Sequence, residues 1–507
     1  MEKTWATSSA AGLDLHLDRA GTRVRADLER ALREAVGTGR LAAGSRLPSS
    51  RALAADLGIA RNTVAEAYAQ LVAEGWLTAR QGSGTRVRER PSGGGQAPGG
   101  RASSAGAGLP ARAGAAPAAD RAPQVDSRFD LRAGVPDLAA FPRPQWLAAA
   151  RKATAAAPHR LLGYGDPRGC AELRDALAGY LARSRDVRTS PEQVIVCAGF
   201  THALTALTQI LIGDGSTAVA VEGYGHAEHR AVIERAGLTA EPLPLDERGA
   251  RVDALTGSPA RGVLLTPAHQ FPTGVPLAAD RRSAVVRWAA ETGATVIEDD
   301  YDGEFRYDRQ PLGALQALGP DTVVYAGTAS KSLAPGLRLG WLAVPNRLLE
   351  RLLAVPALAD QRVDVLHQLT LAEFLTSGRY DRQVRSRRIA YRRRRDVLVA
   401  MLHREAPAVT VSGISAGLHA LVRLPPGVDE RTVVQAAGRV GVAVDGLATF
   451  AAGATGVAGG AGSSGAAGRA GDLGAALVVG YARPSDHAFT AAIARLCAVL
   501  RRALGSG

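Results

Sequence analysis

The sequence of 507 residues predicts an α/β protein in which a small N-terminal helical unit precedes a large unit built on a mostly parallel sheet. Residues 91–125 are Ala, Gly, Pro or Ser at 27 of 35 positions, and such a segment cannot bury enough apolar surface to offset its ordering entropy. After it, short β-rich runs alternate with helical patterns, which is typical of a sheet covered by helices on both faces. We therefore expect folded domains at 12–90 and 126–505, joined by a disordered linker at 91–125.

The first unit begins with two short helical patterns. Residues 19–36 carry apolar side chains on one face, which predicts an amphipathic helix. A second helix is predicted over 51–57, where Ser49 or Ser50 is suited to cap its N-terminus and Gly58 ends it.

A third predicted helix starts near Arg61, and a hairpin that turns at residues 81–84 follows it. Two short helices and a basic hairpin form the pattern of a winged helix-turn-helix. Arg61, Asn62 and Thr63 lie at the leading end of the third helix, from which side chains can enter a DNA major groove. Three further arginines are placed to contact phosphates, namely Arg51, Arg80 and Arg86. Spacing alone leaves open a small helical domain whose arginines are only solvated.

Short motifs in this unit resemble the GntR family of bacterial repressors. They read GSRLPSSR at 44–51, RNTVAEAY at 61–68 and GSGT at 82–85. The resemblance covers residues 15–88 and implies a winged helix that binds double-stranded operator DNA.

The net charge of the chain is only a weak indication of a nucleic-acid partner, because most of it lies outside the N-terminal unit. A net charge of +13 permits such a partner. Residues 1–90 contribute only +4 (14 basic minus 10 acidic), whereas residues 379–395 contribute +8 (nine basic minus one acidic). Five arginines of that second run recur at helical spacing, namely Arg382, Arg385, Arg388, Arg392 and Arg395. This favours a basic helix over direct contact with DNA.

Other features concern location and metal binding. No uncharged apolar run reaches 18 residues and no secretory signal is visible, so we expect a cytoplasmic protein without a membrane span. The three cysteines have neither the spacing of a disulfide framework nor that of a zinc site, so no metal is expected. A second low-complexity stretch at 451–470 is predicted to be a disordered surface loop within the large unit.

In the large unit, Lys331 follows a predicted strand at 322–326 and lies among hydroxyl side chains. A lysine in this position can form an imine with an aldehyde cofactor. The hydroxyls of Thr328 and Ser330, together with the guanidinium of Arg338, can hold a phosphate dianion. A single lysine is more often a solvated surface charge, so this pattern needs support from other elements.

Support comes from a carboxylate cluster at the end of a second strand, with the sequence VIEDDYD at 296–302. In α/β sheets, ligands bind at the carboxyl ends of the strands. Asp299 there can pair with a protonated pyridine nitrogen, and Tyr301, two residues on, can reach a hydroxyl group of the same ring. The alternatives are a metal-binding acidic loop or solvated charge.

A third strand ends at Gly199, and a helix begins immediately after it. The free N–H groups of a helix N-terminus bind phosphate. Gly199, Phe200 and Thr201 therefore form a candidate phosphate-binding turn, although many α/β proteins contain such a turn.

Together these motifs resemble fold-type I pyridoxal-phosphate enzymes of the aminotransferase class I/II group, over residues 130–500. The resemblance implies pyridoxal 5'-phosphate bound covalently to Lys331, with a smaller C-terminal α+β lobe after the large sheet. It also implies that Arg483 holds the carboxylate of a substrate or effector. The chain departs from the family at 266–274, where the usual asparagine is missing, and at His226, which replaces an aromatic residue.

A GntR-type winged helix fused to an aminotransferase-like domain resembles MocR-type transcriptional regulators. The resemblance implies a homodimer that binds operator DNA and senses pyridoxal phosphate or a small amino compound. The alternative is an active aminotransferase that carries a DNA-binding arm.

Overall fold

The computed structural model describes residues 24–38, 40–80, 84–88, 129–307, 312–453 and 473–505, together with the backbone of 5–8 and 15–18. The predicted linker at 91–125 lies outside these residues, as does most of the predicted loop at 451–470.

The N-terminal unit contains three helices and a two-stranded wing, in agreement with the sequence prediction. Its elements are β1 (Trp5–Ser8), β2 (Leu15–Asp18), α1 (Val24–Gly37), α2 (Ser50–Leu57), α3 (Arg61–Ala73), β3 (Leu77–Arg80) and β4 (Gly84–Val87). Helix α2 is capped as predicted, because Ser49 accepts a hydrogen bond from the Ala52 amide (3.2 Å) and Gly58 ends the helix with a φ of 62°.

The large unit alternates strands and helices along most of its length. Its first half contains β5 (Phe129–Asp130), α4 (Arg143–Ala156), α5 (Ala171–Arg185), β6 (Val194–Cys197), α6 (Phe200–Gly213), β7 (Ala218–Glu222), α7 (Ala227–Arg235), β8 (Thr239–Leu243), β9 (Leu245–Asp246), β10 (Gly249–Ala250), β11 (Gly262–Leu265), α8 (Ala279–Thr292), β12 (Thr295–Asp299), β13 (Val323–Thr328) and β14 (Gly340–Ala343). The rest contains α9 (Asn346–Leu353), α10 (Pro356–Asp360), α11 (Val365–Thr376), α12 (Arg379–Glu405), β15 (Thr410–Ser412), β16 (His419–Arg423), α13 (Glu430–Arg439), β17 (Val442–Ala443), β18 (Asp445–Gly446), β19 (Ala476–Gly480) and α14 (Asp486–Leu504).

A seven-stranded sheet forms the centre of the large unit, with the strand order β6-β14-β13-β12-β11-β7-β8. Its strands pair in parallel except for β14, which is antiparallel to both β13 and β6. The carboxyl ends of β6, β12 and β13 therefore lie at one edge of the sheet, where α/β folds bind their ligands. The three strands predicted before Gly199, Asp299 and Lys331 are all present in this sheet, as β6, β12 and β13.

A smaller antiparallel sheet with the order β15-β16-β19-β18 forms the C-terminal lobe. Helices α12, α13 and α14 pack with it around a separate apolar core. The arginine-rich run at 379–395 begins α12, so the prediction that it is helical is confirmed.

The winged helix and the large unit share one continuous apolar core. The same cluster of buried side chains contains Leu32, Leu71 and Trp76 of the winged helix and Val286 and Leu318 of the large unit. Burying such side chains stabilises a fold by about 1.5–3 kcal/mol each. The winged helix is therefore docked on the large unit and does not depend on the linker alone for its position.

Substituting Ser49→Ala should destabilise the winged helix by about 1 kcal/mol, because the first turn of α2 loses its capping acceptor. Ser50→Ala, at the next position and inside the helix, is the matched control. Chemical denaturation followed by circular dichroism measures both. Equal stability of the two variants would contradict the assignment of Ser49 as the cap.

Candidate functional sites

Lys331 lies just beyond the end of β13 and is half-buried. Its amine donates a hydrogen bond to the Gly134 carbonyl oxygen (2.6 Å). Burial lowers the pKa of Lys331, although the carboxylates of Asp299 and Asp302 act in the opposite direction. A lower pKa increases the fraction of neutral amine, which is the nucleophilic form.

Asp299 is the last residue of β12 and is 7% exposed. Burial raises the pKa of its carboxyl to about 8, and the nearby Lys331 partly offsets this effect. A cation placed against Asp299 would favour its ionised form. The site therefore suits a positively charged ligand atom.

Tyr301 belongs to a buried polar network that the sequence analysis did not foresee. The Nδ1 atom of His269 lies 3.1 Å from the Tyr301 hydroxyl and 2.8 Å from a carboxylate oxygen of Asp302. The Tyr301 hydroxyl also donates to the His269 carbonyl oxygen (3.2 Å). His269 occupies the loop that lacks the asparagine usual in the family, and it positions the tyrosine hydroxyl in this chain.

An anion cradle lies where β13, β14 and β6 meet. Strand pairing places Thr328 opposite Gly340 and Gly340 opposite Cys197, next to the N-terminus of α6. The Thr328 hydroxyl donates to the Ser330 hydroxyl (2.8 Å). Gly199 has a φ of 95°, and a Cβ there would lie only 3.6 Å from the Arg338 guanidinium.

The cradle supplies hydroxyl donors, a guanidinium and a helix N-terminus. Helix α6 begins at Phe200 and Thr201 without a side-chain cap, so its first N–H groups are available to an anion. Within the described residues, Arg338 forms no ion pair and is exposed. The predicted phosphate-binding residues are thus brought together at one edge of the sheet.

Glu222 and a stack of aromatic rings line the pocket beside Asp299 and Tyr301. Glu222 accepts hydrogen bonds from the Thr266 hydroxyl (2.5 Å) and the Gln270 amide nitrogen (3.2 Å). Burial raises the pKa of Glu222 to about 7. The role of Glu222 is not predictable from the sequence, because no local pattern shows that a carboxylate at a strand end is buried.

The ring of His226 stacks on Phe271, with ring centroids 4.0 Å apart and an interplanar angle of 11°. Both rings line the pocket. Burial lowers the pKa of His226, so its imidazole is neutral and behaves as a flat aromatic surface. The replacement at His226 therefore keeps a flat ring at this wall.

Arg483, predicted to hold a carboxylate, forms an ion pair with Asp130 (2.9 Å). Asp130 also binds the Arg132 guanidinium (2.7 Å). An acidic ligand would have to compete with Asp130 for Arg483. The assignment of Arg483 as the effector-binding arginine stays a prediction.

Most of the predicted DNA-binding side chains reach the surface of the winged helix. Arg51 and the leading residues of α3, Arg61 and Asn62, are exposed, and Thr63 is half-buried. Arg86 of the wing donates to the Gly44 carbonyl oxygen (2.9 Å). The backbone of Arg80 pairs with Gly84 at the tip of the wing.

The arginines of α12 divide into structural and exposed groups. Arg394 is buried and forms ion pairs with Asp137 (2.8 Å) and Asp486 (2.6 Å). Arg388 donates to the Glu304 carbonyl oxygen (2.9 Å). Part of the run thus stabilises the small lobe, in line with the interpretation favoured from its spacing.

The described residues contain neither a metal-binding cluster nor a membrane-spanning helix. Within the described ranges, no group of three His, Cys, Asp or Glu side chains is arranged to hold a metal ion. None of the helices in those ranges combines the length and apolar character that crossing a membrane requires.

Two family models match the chain. "Aminotransferase class I and II" matches residues 128–456, and "Bacterial regulatory proteins, gntR family" matches residues 25–87. The first covers most of the large unit and the second covers the three helices and the wing of the N-terminal unit.

Two transcriptional regulators are among the proteins similar to the chain. A probable rhizopine catabolism regulatory protein of Rhizobium meliloti, MocR, is 33% identical over 437 residues, which are 84% of this chain and 87% of that protein. The pyridoxine biosynthesis transcriptional regulator PdxR of Corynebacterium glutamicum is 32% identical over 412 residues, covering 79% and 83%.

Solved structures show the same fold for the large unit. A kynurenine aminotransferase of Pyrococcus horikoshii has a TM-score of 0.64 and 23% identity, and the match covers 75% of this chain and 92% of that one. At this identity the likeness concerns the fold alone.

Substituting Glu222→Gln should reduce the pH dependence of stability. Because burial raises the pKa of Glu222 from 4.5 to about 7, the folded protein binds this proton more tightly than the unfolded chain. The contribution of Glu222 to the free energy of unfolding is therefore fully present at low pH and is lost as the pH rises from 4.5 to about 7. Between pH 5 and pH 8, the free energy of unfolding of the wild type should fall by about 2 kcal/mol more than that of the variant. Glu234→Gln, on the exposed surface of α7, is the control and should match the wild type.

Proposed function

Because the chain belongs to the MocR-type transcriptional regulators of the GntR family, we propose that its large domain is a sensor that binds pyridoxal 5'-phosphate. The effector is the cofactor itself or a small amino compound that reacts with it. One observation carries the proposal. In a chain that also carries a candidate recognition helix, the amine of Lys331 has a lowered pKa and lies close enough to the buried Asp299 carboxyl for each to shift the pKa of the other.

The described residues fit this cofactor. The cradle of Thr328, Ser330, Arg338 and the α6 N-terminus suits a phosphate dianion. Asp299 suits the protonated pyridine nitrogen, because a cation there would stabilise its ionised form.

Two further groups complete the fit. Tyr301, next to His269, can redirect its one hydroxyl proton from the His269 carbonyl oxygen to the ring oxygen, and the flat ring of His226 forms one wall. When bound, the cofactor supplies an aldehyde that captures amines and a ring that withdraws electrons. Lys331 supplies the amine that holds it, and burial keeps a larger share of that amine neutral.

The DNA-binding half of the proposal rests on the winged helix. Arg61, Asn62 and Thr63 would contact base edges from the leading end of α3, while Arg51, Arg80 and Arg86 would contact phosphates. We include a homodimer in the proposal, because two winged helices on one dimer would bind two half-sites of an operator. A regulator of this kind acts in the cytoplasm.

The second candidate is an aminotransferase with a DNA-binding arm, and the intact set of Lys331, Asp299 and Tyr301 favours it. Purified protein incubated with amino donors and keto acceptors separates the two functions when operator binding is measured in parallel. Multiple turnovers combined with no ligand effect on DNA binding would contradict the sensor. A ligand effect on DNA binding without turnover would exclude the enzyme.

Substituting Lys331→Ala should abolish the visible absorbance of bound pyridoxal phosphate while leaving basal operator binding intact. The chain has only three lysines, so borohydride reduction followed by peptide mapping can test the site directly. We expect the label on Lys331 and none on Lys152, an exposed residue paired with Glu373. Lys152→Ala is the control. Loss of DNA binding in the Lys331 variant would show that the two modules are not separable.

Substituting Arg61→Ala should weaken operator binding by about 1–3 kcal/mol, because the recognition helix loses a side chain at its leading end. The cofactor absorbance should not change. Binding is measured on a duplex selected by the wild-type protein from a random library. Arg431→Ala, exposed on α13, is the control, and an Arg61 variant with normal affinity would contradict the placement of the recognition helix.

A further inference from the structure

We propose that a chain of ion pairs, buried at both ends and half-buried at Asp186 in its centre, couples the cofactor site directly to the recognition helix. We call it the ion chain, and it consists of the contacts Asp300–Arg185, Asp186–Arg33 and Arg33–Glu74. The inference rests on the proposed sensing function and specifies which residues transmit the signal.

The cofactor end of the ion chain is Asp300, which lies between the site residues Asp299 and Tyr301. Two nitrogens of Arg185 donate to its carboxylate at 2.6 and 2.9 Å, and the Tyr325 hydroxyl donates at 2.7 Å. The side chains of Arg185 and Asp300 are 1% and 2% exposed. Because this pair is shielded from water, a shift of the backbone at Asp299 or Tyr301 acts on Arg185 with little screening.

The middle of the ion chain is the end of helix α5. Arg185 is its last residue, and Asp186 follows in the left-handed conformation with a φ of 57°. This geometry directs two adjacent side chains to two different partners. Arg185 binds Asp300 of the large sheet, and the Asp186 carboxylate lies 3.4 Å from the guanidinium of Arg33 in α1.

The DNA end of the ion chain is Glu74, which directly follows the recognition helix α3. Arg33 donates to both carboxylate oxygens of Glu74, at 2.9 and 2.8 Å, and the Gln70 amide donates at 2.7 Å. A two-pronged contact of this kind fixes orientation as well as distance. Since α3 is a rigid helix of 13 residues, a rotation at Glu74 moves Arg61 at the opposite end.

A second set of contacts places the same end of α3 against the large unit. Gly75 has a φ of 87°, and a Cβ there would lie 3.2 Å from the Ala279 carbonyl oxygen of α8. Arg282 of α8 donates to the Glu74 carbonyl oxygen (3.4 Å), and the Arg188 guanidinium lies 4.8 Å from the Trp76 ring centroid. Glu74 therefore cannot move independently of the large domain.

Coupling requires that a ligand bind two arrangements with different affinity. In the arrangement of this structure, the ion chain holds α3 at a defined angle to the large domain. A ligand that shifts the end of β12 changes the Asp300–Arg185 contact, and through Asp186 and Arg33 it changes the angle of α3.

The test is Asp186→Asn in the full-length protein. Asparagine has nearly the same size and tolerates the left-handed conformation, so α5 should end as before while the charge is lost. Glu34→Gln is the matched control, because it removes an exposed ion pair with Arg40 from the outer face of α1. Affinity for the selected operator duplex is measured without and with saturating pyridoxal phosphate, and the ratio of the two affinities is the readout.

We expect the wild type and the Glu34 variant to show the same ratio, and the Asp186 variant to show a ratio near one with unchanged cofactor absorbance. If Asp186 had a purely structural role, its substitution would change the operator affinity equally without and with pyridoxal phosphate. The ratio would then equal that of the wild type, and this result would overturn the inference. Arg33→Lys is the second variant, because lysine keeps the charge but cannot form the two-pronged contact with Glu74. Its ratio should also move towards one, and this variant tests the inference if the Asp186 variant fails to fold.

The outcomes distinguish the two proposals. A wild-type ratio of one would overturn cofactor sensing, and the ion chain would fail with it. A wild-type ratio clearly different from one that persists in both variants would overturn the ion chain alone. Amide hydrogen exchange in α3 provides an independent readout, because α3 should respond to the cofactor in the wild type and not in the Asp186 variant.

Discussion

The organisation of this protein depends on one constraint, the alternation of side chains along the end of strand β12. Successive residues of a strand point to opposite faces, so Asp299 points away from the face that Glu298 and Asp300 share. Asp299 faces the pocket that contains Tyr301. Glu298 accepts the backbone N–H groups of Leu315 and Gln316, at 2.7 and 2.8 Å, and Asp300 binds Arg185. One strand end thus serves the ligand pocket and also organises the surface on which the winged helix docks.

This arrangement changes how the two units should be pictured. A flexible linker suggests a DNA-binding domain that moves independently. The structure instead places the winged helix on the large domain through a shared apolar core and buried charges. Buried ion pairs are poor stabilisers, because desolvation opposes their attraction, but they hold orientation strictly. Orientation is the property that a recognition helix must change when a ligand is sensed.

Much of the fold and part of the site could be predicted because their signals are local. Ser49 and Gly58 mark the ends of α2, and the apolar runs before Asp299 and Lys331 mark strands. The residues that support the site could not be found in this way. His269 positions Tyr301 from 32 residues away, and Glu222 meets Gln270 across 48 residues. Neither residue carries a local pattern that distinguishes it from other polar residues near a strand end.

The sequence by itself determined the two modules, the α/β class and the motif residues around Lys331, since each depends on periodicity and spacing over a few residues. Only the tertiary structure decided which charges meet. Arg33 and Asp186 are 153 positions apart, Arg185 and Asp300 are 115 apart, and Arg483 pairs with Asp130. Local patterns show that a residue is charged, but its partner depends on how distant strands and helices pack, and burial then sets the strength of the pair.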